Sequence, residues 1–536
     1  MMSKYGVKNL FMITNKSMVS STEGFVPHVV LQNLFGSLII VYYMLGVVAH
    51  AALEDEIQRI VDEERARAGT PGISVVAVRN DQVIAQVVSG YADKEQGRVV
   101  TAATPFPSAS LSKIVTAILV MKQIENGKLD LDTPVNTYLE SNLWIRDAAG
   151  DPVPASLRHL LSHNSGLPVS WGGEVQRGDP VPTIEQYLDG GRRVIYAPGE
   201  NIVYANDGFT LAGYIAAKAA GLLFHEYARQ TVFEPLGMHQ SAFTSPWRLD
   251  GVIAMGYGDP FKGHSEFVDH ADRTSVAPAA GLITTAPDLA RLTMMLLGEG
   301  EYQGNRVLSP NSITEIMQIQ TRSHPEMDEG FGLGLGVRER PNQRMAWWDG
   351  GHQGAAARLA LLPDHGVGVV VLSNLSDNNQ TAMTAQRVLD VLIPRTPTVG
   401  YEASTAELDN VVGYYRPVDF VDPAKWYFKY FIAFKVERYQ GTLVQSSRIA
   451  GPQTLKAVGP NRFRVQGSLF DDTTVLFDDH TMYLGLMKAQ RISSLQSPTA
   501  IIVYAVSAVL LVICAIVLVL WRLIRRVRQR YTGRLN

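Results

Sequence analysis

Four strand-like runs, two near the start and two far downstream, constrain the fold most. Ile73–Val78 and Val83–Val88 flank Asn80-Asp81 and read as a hairpin. Ala356–Leu362 and Val367–Leu372 carry strand signals again, and residues from about 104 to 300 between them are mostly helical with Pro- and Gly-marked loops. A sheet therefore has to be assembled from both ends of one domain, with a helical region inserted between the halves. Leu53–Gly69 precedes the first strand with helical spacing at Ile57, Ile60 and Val61, behind Glu54, Asp55 and Glu56, whose charge suits a helix start. From about 405 to 492 short strands and turns recur. Tyr414, Tyr415, Phe463 and Val465 stand at candidate inward positions, which predicts a separate small β domain.

Charge and cysteine content remove whole function classes. Lys and Arg number 48 against 51 Asp and Glu, so the chain lacks the basic balance of a general nucleic-acid binder. The single cysteine, Cys514, excludes an intrachain disulfide, a CxxC redox pair and a cysteine zinc site.

Two segments carry address information. Leu34–Val48 is an apolar stretch followed by Ala49-His50-Ala51, an A-x-A-like cleavage signal, so residues 1–51 read as a signal peptide or an N-terminal anchor. Thr499–Trp521 has no charged residue and is long enough to cross a bilayer as a helix. Arg522, Arg525, Arg526, Arg528, Arg530 and Arg534 follow, which makes 522–536 a cytoplasmic tail and puts residues 52–498 on the outer side.

Three stretches carry chemistry. In Ser110-Leu111-Ser112-Lys113, the preceding Thr104-Pro105-Phe106-Pro107 forces a helix to begin near Ser110. The helix is apolar on most faces through Ile124 and stops at Asn126-Gly127, so it is buried. Residues three apart share a helix face, which sets Lys113 beside Ser110 inside the protein. Burial disfavours an ammonium, and a neutral amine next to a hydroxyl is a base for a serine nucleophile. Next comes Tyr204-Ala205-Asn206. Beside a buried lysine, Tyr204 can be held as a phenolate or can relay a proton to a leaving group, and Asn206 offers an amide to Lys113 or to substrate. The third stretch is Gly350-Gly351-His352-Gln353-Gly354, ahead of a strand. Its His352 can donate to a substrate carbonyl or carboxylate, and the Ala355 N–H with that of Ser110 can form an oxyanion hole. Each stretch alone also has a bland reading: a cap with a snorkelling lysine, two structural loop residues, a glycine-rich turn.

Together and in this order, the three stretches resemble the serine β-lactamase and penicillin-binding-protein superfamily, most closely the class C β-lactamase-related serine hydrolases of the peptidase S12 type. The likeness covers roughly 53–395. It is supported by Phe106–Lys113, Gly127–Asp132, His159–Leu167, Pro235–Met238 and Gly281–Thr285. It implies an α/β (α+β) domain over 52–398, with a mainly antiparallel sheet flanked by helices and an all-helical subdomain. After this come a small β-barrel-like domain over 405–492 and the C-terminal transmembrane helix. The resemblance makes Ser110 the acylated nucleophile, Lys113 the base, Tyr204 the proton shuttle and Asn206 a substrate contact, with His352, Gly354 and Ala355 in the third motif. It also sets Asn374 at a late carboxylate-side position. The expected activity is hydrolysis, through an acyl-enzyme, of an amide (peptide, D-amino-acid peptide or β-lactam) or an ester, at a membrane and without a cofactor. A non-catalytic receptor for peptides or cell-wall fragments is the alternative.

One departure matters. The class C enzymes usually carry Lys-Thr-Gly where this chain has His352-Gln353-Gly354, and histidine is mostly neutral at pH 7. That weakens the expectation of efficient β-lactam hydrolysis and leaves acyl-serine chemistry untouched. His159 and His163, four apart, have zinc-ligand spacing but no glutamate between them, and read as structural. Asp130 and Asp132 read as solvated or capping.

Overall fold

The computed structural model describes residues 51–500, except 171, 260–262, 341–342, 396–399, 419–432, 448–450, 468–470 and 499. The apolar stretch Leu34–Val48 and, beyond Ala500, the run to Trp521 lie outside the described residues. Among the described residues no helix is long and apolar enough to cross a membrane.

The two halves of the main sheet meet as the strand signals require. Its strands are β1 (Gly72–Arg79), β2 (Gln82–Asp93), β3 (Arg98–Val99), β4 (Glu329–Phe331), β5 (Gly336–Arg338), β6 (Met345–His352), β7 (Ala355–Leu362) and β8 (Val367–Ser373). Their order is β4-β5-β6-β7-β8-β1-β2-β3, antiparallel throughout. The seam is β1 against β8, in register from Ile73↔Ser373 to Arg79↔Val367. Asn80 turns the β1–β2 hairpin at a φ of 55°, a left-handed conformation that asparagine tolerates better than most residues. All seven residues of β8 are buried, so both faces of the sheet are covered there, and the helices Ala286–Leu297 and Asn378–Leu392 pack against β7 and β8.

The intervening region is less helical than its spacing predicts. Between Leu129 and Val203 the described helices are short, with Leu157–Leu161 and Ile184–Leu188 at five residues each. Prolines and glycines at close intervals leave no room for a longer ladder of backbone hydrogen bonds. The longest described helices of this region are α1 (Ser112–Glu125) and α2 (Asn206–Ala220), which pack on each other. In α1 every residue from Ser112 to Met121 is buried, as an all-round apolar helix must be. A small sheet missing from the sequence reading joins Phe106–Ala109, Leu282–Thr284 and Ala242–Phe243.

Downstream, eight antiparallel strands in chain order, from Gly413–Pro417 to Met487–Ile492, close into a barrel. The closing pair runs from Tyr414↔Ile492 to Pro417↔Ala489. Tyr415, Phe463 and Val465 point into its core. Tyr414 does not, because neighbouring residues on a strand face opposite sides, so both tyrosines cannot point inward.

Candidate active site

Ser110 stands at a corner between a strand and a helix. The strand Phe106–Ala109 ends in Ala109 with φ of 46°, and α1 begins two residues past Ser110. A non-glycine residue in that region costs on the order of 1–3 kcal/mol and persists only where its surroundings over-determine it. Here Ser112 Oγ donates to Ala109 O at 2.6 Å and accepts from the Leu282 N–H at 2.9 Å, while Ser108 Oγ donates to Leu282 O at 3.0 Å. From the other side Gly350 of β6 presses on the corner. A Cβ added there would sit 2.0 Å from Ser108 O and 3.2 Å from the Ser110 nitrogen. Only glycine allows this approach.

Lys113 is fully buried, and burial lowers its pKa well below the ordinary lysine value. Its Nζ lies 2.8 Å from Asn206 Oδ1, 2.8 Å from Ala279 O and 3.0 Å from Ser110 Oγ. The orientation of the Asn206 amide follows from its Nδ2, which donates to Ser170 O at 2.7 Å. A neutral amine has two N–H bonds and one lone pair. Asn206 Oδ1 and Ala279 O can only accept, so they take both N–H bonds and leave the lone pair to the Ser110 hydroxyl.

Tyr204 completes the group. Its hydroxyl lies 2.7 Å from Ser110 Oγ. Burial raises its pKa, with Asp349 adding to the rise and the bond to Ser110 opposing it, so it stands as a phenol. With the Ser110 proton directed at Lys113, the Tyr204 O–H donates to Ser110 Oγ. His163 holds the tyrosine in place: its backbone carbonyl accepts from the Val203 N–H at 2.7 Å, its Nδ1 accepts from the Ala205 N–H at 3.2 Å, and its ring lies 4.5 Å from that of Tyr204. His159 Nδ1 accepts from the Ser156 N–H in a capping box. Both histidines thus have local structural partners. Asp130 caps its own turn through the N–H groups of Asp132 and Thr133, and Asp132 pairs with Arg158 at 2.6 Å.

The glycine-rich stretch divides. Gly351 lines, with Ser110 and Tyr204, a cavity of about 350 Å³. His352 instead lines a separate small crevice with His270 and Arg273. Its Nδ1 lies 2.6 Å from Gln353 O, which can only accept, so Nδ1 carries the proton. The Gly354 N–H donates to Ser376 Oγ at 2.6 Å. Ala355 is fully buried and pairs with His352 across the hairpin. Asn374 is also buried: its Oδ1 accepts from the Gly72 N–H at 2.7 Å and its Nδ2 donates to Tyr91 O at 3.1 Å, joining β8 to β1 and β2.

Sequence reasoning missed much of the cavity wall. Trp347, Trp348 and Asp349 stand immediately before Gly350-Gly351 on the same strand, which was the available signal. Asp349 binds Arg358 of the neighbouring strand through both carboxylate oxygens, at 3.0 and 3.1 Å. The barrel also contributes wall residues, among them Leu484, Leu486 and Met487, and nothing local in the sequence points to that.

The beta-lactamase family profile matches residues 57–392, well over half of the chain. The chain belongs to the beta-lactamase family. Membership makes it a serine hydrolase. Among similar proteins, penicillin-binding protein 4 of Amycolatopsis lactamdurans is 29% identical over 59% of this chain and 84% of its own length. An N-acetylmuramyl-L-alanine amidase of Bacillus subtilis is 25% identical over 60% of this chain and 80% of its own. The octameric penicillin-binding protein homologue from Pyrococcus abyssi superposes with a TM-score of 0.57 at 23% identity, over 81% of this chain and 99% of that one. A class C beta-lactamase does so at 0.55 and 22%, over 65% of this chain and 98% of that one. At these identities the two structures speak to the beta-lactamase fold alone.

Proposed function

We propose that the chain is a membrane-held, extracytoplasmic hydrolase that cleaves an amide or ester through an acyl-enzyme on Ser110. The observation that carries this reading is the position of Lys113 Nζ, 3.0 Å from Ser110 Oγ and 2.8 Å from both Asn206 Oδ1 and Ala279 O, two acceptors that engage the N–H bonds of a neutral amine and turn its lone pair to the Ser110 hydroxyl. Ser110 Oγ bonds to the substrate carbonyl carbon as its proton passes to Lys113 Nζ. The resulting oxyanion is assigned to the Ser110 N–H, at the corner ahead of α1. The Lys113 proton then leaves through the Tyr204 hydroxyl to the departing nitrogen or oxygen, and the bond to the carbonyl carbon breaks. Water repeats the sequence on the ester, releases the acid and restores Ser110.

A fluorophosphonate is expected to add one phosphonyl group per chain, mapped to the peptide holding Ser110, and Ser110→Ala is expected to take up none. A label that persists in Ser110→Ala removes the proposal. The membrane part rests on the run to Trp521 and the arginines after it. A chain of residues 52–498, which lacks both apolar segments, should leave the membrane fraction; if the full chain is itself recovered free of membranes, the anchor is wrong.

A further inference from the structure

The cavity beside Ser110 has walls from two parts of the chain, and both parts bring apolar surface to it. Trp347, Trp348 and Met345 come from β6, and Leu484, Leu486 and Met487 come from the barrel turn. Leu486 packs against the hydrophobic core of the catalytic domain, although it belongs to the barrel. The turn is pinned there. Ser323 Oγ donates to Gly485 O at 2.9 Å, and Gly485 lies so close that an added Cβ would fall 2.9 Å from a Glu329 carboxylate oxygen. Thr474 Oγ1 donates to Asp328 at 2.6 Å, and Arg340 clasps Asp472 of the barrel.

The charged groups on the wall are already matched. Arg358 sits on Asp349, Arg338 donates to Glu329 at 2.8 Å, and Asp471 accepts from Arg395 at 2.6 Å. The wall sets two arginines, Arg338 and Arg358, against three carboxylates, Glu329, Asp349 and Asp471, so a substrate carboxylate entering here would trade its water for neutral Asn378, Gln386 and Thr473 beside an excess of negative charge, which is costly. An apolar chain meets indole, thioether and leucine surfaces and is favoured by their burial.

Building on the acyl-serine reading, we propose that this cavity selects uncharged, apolar acyl groups and that the barrel turn Leu484–Met487 sets the length it accepts. The barrel is then part of the substrate site.

The test uses the full chain and p-nitrophenyl acetate, butyrate, octanoate and hemisuccinate. Butyrate should exceed hemisuccinate, its charged counterpart, by roughly ten-fold or more in kcat/KM, since buried charge is rejected more strongly than a methylene. Leu486→Trp, which fills the cavity, should lower the octanoate-to-acetate ratio by roughly ten-fold or more, and Leu486→Ala should raise it. If Leu486→Trp does not fold, the opposite shift in Leu486→Ala decides alone. Equal rates on butyrate and hemisuccinate, or a chain-length ratio that Leu486 does not move, would overturn this proposal while phosphonate labelling of Ser110 still upheld the acyl-serine reading. Loss of that labelling would instead remove the reading beneath it.

Discussion

Replacing Lys113 with methionine should slow acylation of Ser110 by roughly 10²–10⁴-fold, the range removed with a general base. The side chains are of similar length, and the site is fully buried, so the apolar stem keeps its packing. What is lost is the lone pair 3.0 Å from Ser110 Oγ. The substitution also leaves Asn206 Oδ1 and Ala279 O without their donor. Two buried acceptors unsatisfied cost on the order of 1–3 kcal/mol each, so the melting temperature should fall as well. The two losses separate cleanly: stopped-flow labelling with a fluorophosphonate reads the first, and thermal melting reads the second. Near wild-type labelling by a folded Lys113→Met would mean that some other group takes the serine proton.

Gly350→Ala is the second large effect, and it acts through the backbone that carries Ser110. The new methyl would be placed 2.0 Å from Ser108 O, far inside contact distance, and that carbonyl is backbone. The strand Phe106–Ala109 or β6 has to move. Displacing a nucleophile by about 1 Å costs on the order of 10²-fold in rate, and overpacking of this kind costs roughly 1–3 kcal/mol of stability. Labelling of Ser110 should therefore slow by about 10²-fold with a lowered melting temperature. Gly400→Ala is the control: a Cβ there meets nothing within 4 Å, and both readouts should stay at wild-type values. A Gly350→Ala chain that labels at the wild-type rate would show that the corner is more yielding than its packing implies.

How much of this was legible in the sequence depends on how local each cause is. The burial of Lys113 was, because Ile114, Val115, Ile118, Leu119, Val120 and Met121 leave α1 no polar face to turn toward water. That both ends of the domain share one sheet was too, from the strand runs on either side of the helical region, whereas the pairing of β1 with β8 at the seam was not. The closeness of Tyr204 to Ser110 needed the resemblance, because no periodicity joins residues 94 apart. His352 shows the limit. A glycine-flanked histidine names no side of the hairpin, and here it lies in the crevice with His270 and not in the cavity with Ser110. The barrel wall is the extreme case. Leu486 reads as one more apolar residue between two strands, and only the docking of Gly485 on Ser323 and Glu329 brings the turn to the cavity.

The pH dependence of Ser110 acylation tests the central claim most directly. Burial lowers the Lys113 pKa and raises that of Tyr204, and the reactive form has a neutral amine beside an intact phenol. As pH falls through the lowered lysine value the amine gains a proton and the rate drops. As pH rises the rate holds until the phenol ionises, above its ordinary value of 10.0. Acylation measured by phosphonate labelling from pH 5 to 10 should rise to a plateau well before 10.5, the ordinary lysine value, and stay flat through pH 9. A profile still climbing at pH 10 would show a solvated ammonium at position 113 and would contradict the account.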